Sequence, residues 1–186
     1  MVVIDPLHKY TIDSKVKSSD GDLIKPVSIF LAGTIDDGKS RNWQGEIIEE
    51  IGTKYDSGNI TVYNPRRDDW GDDNYAIEKQ ILWEQENLDK ADYIFMNLES
   101  GSKSPISLLE LGLYAQSNKL IVFCNDGFYR YTNVKLTCDK YNILQFQPKS
   151  ISEMGEIIWK VLTTYNLIKS ETLTESPRRP KLKWIW

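Results

Sequence analysis

The residues best suited to chemistry are two glutamates that interrupt apolar helical patterns. In Ile106-Ser107-Leu108-Leu109-Glu110-Leu111-Gly112-Leu113 a single acid is surrounded by aliphatics. At about 100° per residue, Ile106, Leu109, Leu113 and Ser117 share a stripe and Glu110 falls within it. Upstream, Ile77, Ile81, Leu88 and Ala91 share a face with Glu84 in its middle, opposite Lys79, Glu86 and Lys90. Burying a carboxylate is costly unless it is compensated. Two acids on inward faces of successive helices are expected to converge on one pocket. Two converging carboxyls are the usual equipment for breaking a glycosidic bond: one attacks or stabilises the sugar carbon and the other handles protons and hydroxyls. The alternative for each acid alone is a partly exposed edge residue or a partner for a buried arginine.

The rest of the composition narrows the chemistry. There is one histidine, His8, in the polar N-terminal stretch, so a histidine base or a two-imidazole zinc site is hard to build. The two cysteines, Cys124 and Cys138, have no metal-ligand spacing and suit a reducing compartment. Carboxylates, hydroxyls, amides and arginines are left to act, with no metal and no organic cofactor expected. Net charge is −4, from 23 cations and 27 anions, which argues against a stable nucleic-acid partner. No apolar run is long enough to span a bilayer, and no cationic start leads into one. The expectation is a cytoplasmic chain with no membrane association.

The elements that must position these acids alternate. With 186 residues, 40% hydrophobic and 27% charged, the chain suits one globular domain. Strands are predicted at Ser28 to Ala32, Ile60 to Tyr63, Tyr93 to Leu98, Leu120 to Cys124 and Ile143 to Phe146. Helices are predicted at Asn42 to Tyr55, Tyr75 to Ala91, Pro105 to about Asn118 and Ile151 to Asn166, with Ser104 as N-cap and Pro105 at the first helical position. Asn125 to Tyr141 reads as a long polar connection. The pattern predicts an α/β fold, a flavodoxin-like or Rossmann-like doubly wound sheet of about five mostly parallel strands with helices on both faces. Ligands in such folds sit at the carboxyl ends of the strands, here Gly33-Thr34, Asn64-Pro65, Asn97-Leu98-Glu99 and Asn125-Asp126. Residues 1–26 read as an N-terminal arm or hairpin, 27–167 as the domain, and 168–186 as a basic-aromatic tail ending Trp-Ile-Trp. The tail suits a solvated or subunit-contact segment.

Lesser signals surround the acids. The loop Gly33-Thr34-Ile35-Asp36-Asp37-Gly38-Lys39 lacks the spacing of a phosphate loop and reads as a ligand loop. Arg66-Arg67 suits either a phosphate or carboxylate contact or a solvated turn. Trp43, Trp70 and Trp83 suit base stacking, with core packing the better account of at least two.

The ordered set of motifs resembles the nucleoside 2-deoxyribosyltransferase-like family. It comprises Ile29 to Ile35, Trp43-Gln44, Asn64-Pro65-Arg66-Arg67 with Trp70, Gln80-Ile81-x-Trp83-Glu84, Ala91-Asp92, Ser104 to Gly112, and Gly127-Phe128-Tyr129-Arg130-x-x-Asn133-Val134. The resemblance implies cleavage of the N-glycosidic bond of a nucleoside or nucleotide. It makes Glu110 the nucleophile, forming a covalent 2-deoxyribosyl ester, and Glu84 the group that contacts or protonates the base. Asp92 is expected to support structure. Gly33, Thr34 and Ile35 would approach sugar or base, with Trp43, Asn64, Arg66 and Arg130 as further substrate-binding candidates. Ser104, Ser107 and Asn133 would hold hydroxyls or a 5′-phosphate. The family's transferases carry an aspartate six residues before the nucleophile, where this chain has Ser104, and related nucleotide hydrolases use serines and an arginine there. They also complete the site with a neighbour's chain end, where this chain has its Trp-Ile-Trp tail. Three functions follow: transfer of the sugar to another base, hydrolysis with water as acceptor, or a non-catalytic nucleotide-sensing module. A homo-oligomer acting on a small-molecule nucleoside or nucleotide is implied.

Overall fold

The computed structural model describes residues 1–11, 27–36, 38–55, 57–67 and 74–171. Trp70, residues 12–26 and the tail from 172 onward therefore lie outside the described residues. In chain order the elements are β1 (Val2–Ile4), β2 (Lys9–Thr11), β3 (Val27–Gly33), α1 (Trp43–Lys54), β4 (Ile60–Tyr63), α2 (Asn74–Lys90), β5 (Tyr93–Leu98), α3 (Pro105–Tyr114), β6 (Leu120–Cys124), α4 (Tyr131–Tyr141), β7 (Leu144–Phe146) and α5 (Ile151–Glu171).

The strands form one seven-stranded sheet in the order β2-β1-β4-β3-β5-β6-β7. Every pair is parallel except β1 with β2. The last five strands in that order follow the 2-1-3-4-5 winding of flavodoxin-like folds, which places the topological switch point between β3 and β5. The expected doubly wound sheet is present, extended at one edge by β1 and β2. These strands are too short, at three residues each, to stand out in the sequence.

Alternation along β3 divides the core. Ile29 and Leu31 face α1 and α5, packing with Trp43, Ile47, Ile51, Met154 and Ile158. Phe30 and Ala32 face α2, α3 and α4, packing with Leu88, Leu111, Val134 and Cys138. Central strands covered on both faces must be apolar throughout, and β5 and β6 are buried at every position.

Two expectations are corrected. The stretch from Asn125 to Tyr141 is not a long connection, because α4 occupies its second half. Only Val134 and Cys138, four residues apart, turn inward there, while Leu136 is exposed, so the apolar signal was weak. Asn142, in the left-handed region at φ 55°, ends that helix. The second correction concerns orientation. Ile106, Leu109 and Leu113 are 60%, 59% and 67% exposed, and Ile77 and Ile81 are exposed too. The inward residues of α3 are Ser107 and Leu111. A helix apolar around most of its circumference does not reveal which side meets the sheet. No helix among the described residues is long and apolar enough to cross a membrane.

Candidate active site

Glu84 and Glu110 come from neighbouring helices on one face of the sheet, α2 and α3, which precede and follow β5. Each sits at the edge between the buried side of its helix and the exposed apolar side, and each is half-buried. Gln80, one turn before Glu84, donates from Nε2 to Glu84 Oε1 at 2.6 Å and to the Pro65 carbonyl at 2.8 Å. That amide ties the acid to the carboxyl end of β4. Burial raises the Glu84 carboxyl above its ordinary range, against the Gln80 hydrogen bond and the positive charge of buried Arg67. Burial pushes the Glu110 carboxyl further, up to about 8, and the charge of Glu84 adds to the rise. The two acids therefore feel one another in a poorly hydrated place, with only Glu84 assisted by a hydrogen bond and a cation. Such a pair holds a proton near neutral pH.

The switch point lies beside them in the fold. Gly33 ends β3 at φ 130°, where a Cβ would stand 2.1 Å from the Asn97 carbonyl, so only glycine lets the two strand ends close. Thr34 N donates to that carbonyl at 2.9 Å. Thr34 Oγ1 and Ser104 Oγ are 2.7 Å apart, and Ser104 Oγ is 2.8 Å from Ser102 Oγ. Ser104 is the residue before α3, as expected, but its hydroxyl does not cap the helix. At φ 41° it lies in the left-handed region with its side chain in the hydroxyl cluster. Ile35 is half-buried at the start of the following loop, and Ser107 is buried on the inner side of α3.

Other expected contacts stand elsewhere. Trp43 is fully buried in the core and donates from Nε1 to the Thr34 carbonyl at 2.9 Å, so it positions the loop and does not stack on a ligand. Trp83 leans on Phe30. Asn64 accepts from the Arg66 backbone at 3.1 Å and shapes the turn after β4. The Arg66 guanidinium is committed to the 38–41 loop, donating to the carbonyls of Gly38, Ser40 and Arg41 at 2.8, 2.7 and 3.1 Å. Asp92 accepts from the backbone and hydroxyl of Ser28, joining β3 to the start of β5. Arg130, stacked on Tyr129, lines with Asn133, Leu108 and Gly112 a cavity of about 310 Å³ between α3 and α4. Leu108 and Gly112 each lie two residues from Glu110, about 200° around the helix, so this cavity is on the opposite flank of α3. The structure thus brings Glu84 to Glu110 and Thr34 to Ser104, and leaves Arg130 and Asn133 apart from both within one chain.

Residues 26–128 match the family described as nucleoside 2-deoxyribosyltransferase like. The chain belongs to that family. The match contains Glu84, Ser104 and Glu110 and ends before Arg130 and Asn133. A comparison with curated proteins finds no match. Membership in the nucleoside 2-deoxyribosyltransferase-like family and the α/β sheet together point to a glycosyltransferase-like enzyme handling a small nucleoside-type substrate.

Sequence reasoning named Gln80, Gln44 and Glu99 within motifs or strand ends but gave none of them a role of its own. Gln80 carried one readable signal, its i, i+4 spacing to Glu84. Gln44, in the first turn of α1, is fully buried with neither amide atom hydrogen-bonded to protein. Glu99, at the end of β5, is raised by burial against the opposing pull of Arg41. Among the described residues no cluster of acids, histidines and cysteines is arranged to hold a metal ion.

Proposed function

We propose that this chain cleaves the N-glycosidic bond of a 2′-deoxynucleoside or its 5′-monophosphate and transfers the sugar to another base. The observation that carries the reading is the half-buried Glu84–Glu110 pair in a chain of this family, with burial pushing the Glu110 carboxyl up to about 8. A Glu110 carboxylate oxygen attacks the anomeric carbon from the face opposite the base. The carbon–nitrogen bond breaks, its electron pair leaves with the base, and Glu84 serves the base with a proton or hydrogen bond. The resulting ester is opened by a nitrogen of an incoming base, whose proton passes to Glu84 as the carbon–oxygen bond breaks and the Glu110 carboxylate is restored. Positive charge developing on the sugar in a dry site favours the anionic form of Glu110 at the moment of attack.

Burial favours the proton on Glu110, the member that must be anionic to attack. Substrate binding must therefore shift it towards Glu84 or the base, and a neutral-to-alkaline optimum follows. Water replaces the incoming base in a second reading, N-glycoside hydrolysis. A sensing module that binds without turnover is the third. Residues 27–167 carry the reaction in this reading.

The exposed face formed by Ile77 and Ile81 on α2 with Ile106, Leu109 and Leu113 on α3 borders both acids. A contiguous apolar face of this kind marks a contact surface. A second copy of the chain covers it in the proposed homo-oligomer, closing the acids from water. The buried free thiols of Cys124 and Cys138 fit a cytoplasmic setting. The deciding experiment is chromatographic detection of free base from ribo- and deoxynucleosides and their monophosphates, with and without a second base. Exchange establishes the transferase, release without exchange the hydrolase, and tight binding without release the sensing module.

A further inference from the structure

The hydroxyls at the switch point form a chain whose direction is forced. Ser102 Oγ lies 2.8 Å from Asp36 Oδ1, and an ionised carboxylate only accepts, so the single Ser102 proton points to Asp36. Ser102 Oγ also accepts from Ser104 N at 3.1 Å. At the 2.8 Å contact between the two serine hydroxyls, Ser104 must then be the donor. At 2.7 Å from Ser104, Thr34 must donate in turn, and its oxygen accepts from Glu99 N at 3.0 Å. All three hydroxyl protons are used. Thr34, Ser104 and Ser102 are buried, whereas Asp36 ends the chain in water.

One lone pair of Ser104 Oγ remains after Thr34 has donated to it. The chain bridges the ends of β3 and β5, the crevice where doubly wound sheets take their ligands. We propose that Asp36, acting through Ser102, fixes Ser104 as a hydrogen-bond acceptor towards the crevice and is thereby a positioning residue that selects a ligand bearing a free sugar hydroxyl there. This rests on the N-glycosidic reading. A phosphate brings acceptors only, which Ser104 cannot satisfy without breaking the chain. The neighbouring arginines are held elsewhere, Arg41 by Glu46 and Arg66 by the loop carbonyls. Ser104, which in sequence suggests a hydroxyl or a 5′-phosphate, acts against the phosphate in this arrangement.

The test compares kcat/KM for a 2′-deoxynucleoside, its 3′-deoxy and 5′-deoxy analogues, and its 5′-monophosphate, in the native chain and in Asp36→Gly, Asp36→Asn and Ser102→Ala. Asp36 has φ 49°, which glycine and asparagine both tolerate, so those two variants share the loop backbone. The native chain is expected to lose about 100-fold on the analogue lacking the hydroxyl that faces Ser104, because the site is built around that donor. Asp36→Gly frees the Ser102 proton, lets the chain reverse, and narrows the loss to about tenfold while improving the relative use of the monophosphate. Asp36→Asn, whose amide can either accept from Ser102 or donate to it, gives a discrimination between the native chain and Asp36→Gly. Ser102→Ala behaves like Asp36→Gly and covers the case in which the glycine variant fails to fold. Equal discrimination in the native, Asp36→Gly and Ser102→Ala chains overturns the proposal and leaves the N-glycosidic reading intact. If nucleosides bind without turnover, the same ratios are read as Kd. If none is turned over and none binds Glu110→Gln by calorimetry, the N-glycosidic reading falls and takes this one with it.

Discussion

Glu84 stands close enough to Glu110 for its charge to help raise the Glu110 carboxyl, although the two acids belong to different helices with β5 between them in sequence. The winding of the sheet makes them neighbours, because α2 and α3 lie over the same face. Gln80 and Arg67 act on Glu84 alone, so the surroundings of the pair are asymmetric.

The asymmetry fixes a pH profile. Attack needs Glu110 as the anion, and burial pushes its carboxyl up to about 8. We expect kcat/KM to rise roughly tenfold per pH unit below that value and to level off above it. A profile flat between pH 6 and pH 9, measured by initial rates of base release, would rule out Glu110 as the attacking group with this titration.

Stability should run the other way. Folded Glu110 holds its proton up to about 8 against an ordinary 4.5, so the folded chain binds more protons than the unfolded one between those values. Its stability is full below the lower value and declines as pH rises to the upper. Glu110→Gln removes that decline. The variant should be more stable than the native chain by about 1–3 kcal/mol at alkaline pH, after allowance for the site's partial exposure, with the gap closing in acid. Thermal melts across pH report the sign, and turnover should be lost in the same variant.

Gln80→Leu tests the orienting amide. It removes the donor to Glu84 and leaves the Pro65 carbonyl without it. We expect kcat to fall about 10- to 100-fold with KM nearly unchanged, and stability to drop by about 1 kcal/mol. A change confined to KM would place Gln80 in ground-state binding instead.

Leu109→Lys and Leu113→Glu test the exposed face. Both side chains are mostly in water, so the monomer fold should survive and circular dichroism should not change. Sedimentation velocity should show the native oligomer dissociating in these variants. A native chain that sediments as a monomer would remove the second copy from the proposal.

Much of this was legible in the sequence, for identifiable reasons. The central strands β3, β5 and β6 announce themselves because burial on both faces demands nearly continuous apolar runs, as in Leu120 to Cys124. The acids stood out against aliphatic neighbours. The orientation of α3 was not legible, since Ile106, Leu109 and Leu113 look the same whether they meet the sheet or a partner. Arg66 was equally opaque, because an arginine serving three backbone carbonyls has no sequence signature that separates it from one awaiting an anion. The direction of the hydroxyl chain depends on contacts up to 70 residues apart, which no local pattern contains.

Arg66→Lys addresses that strap directly. A lysine cannot span three carbonyls in one planar fork, so we expect a loss of about 1–2 kcal/mol in stability and a weaker KM with kcat largely retained. Melting curves and Michaelis profiles separate these effects.

The same strap bears on the thermodynamics of association. Arg66 ties the carbonyls of residues 38, 40 and 41 within the fold itself. The conformational entropy of that loop is therefore lost during folding and not at each binding event. A ligand entering beside it should bind with a small entropic penalty and a heat-capacity change set by its own buried surface, without the larger signature of a segment ordering around it.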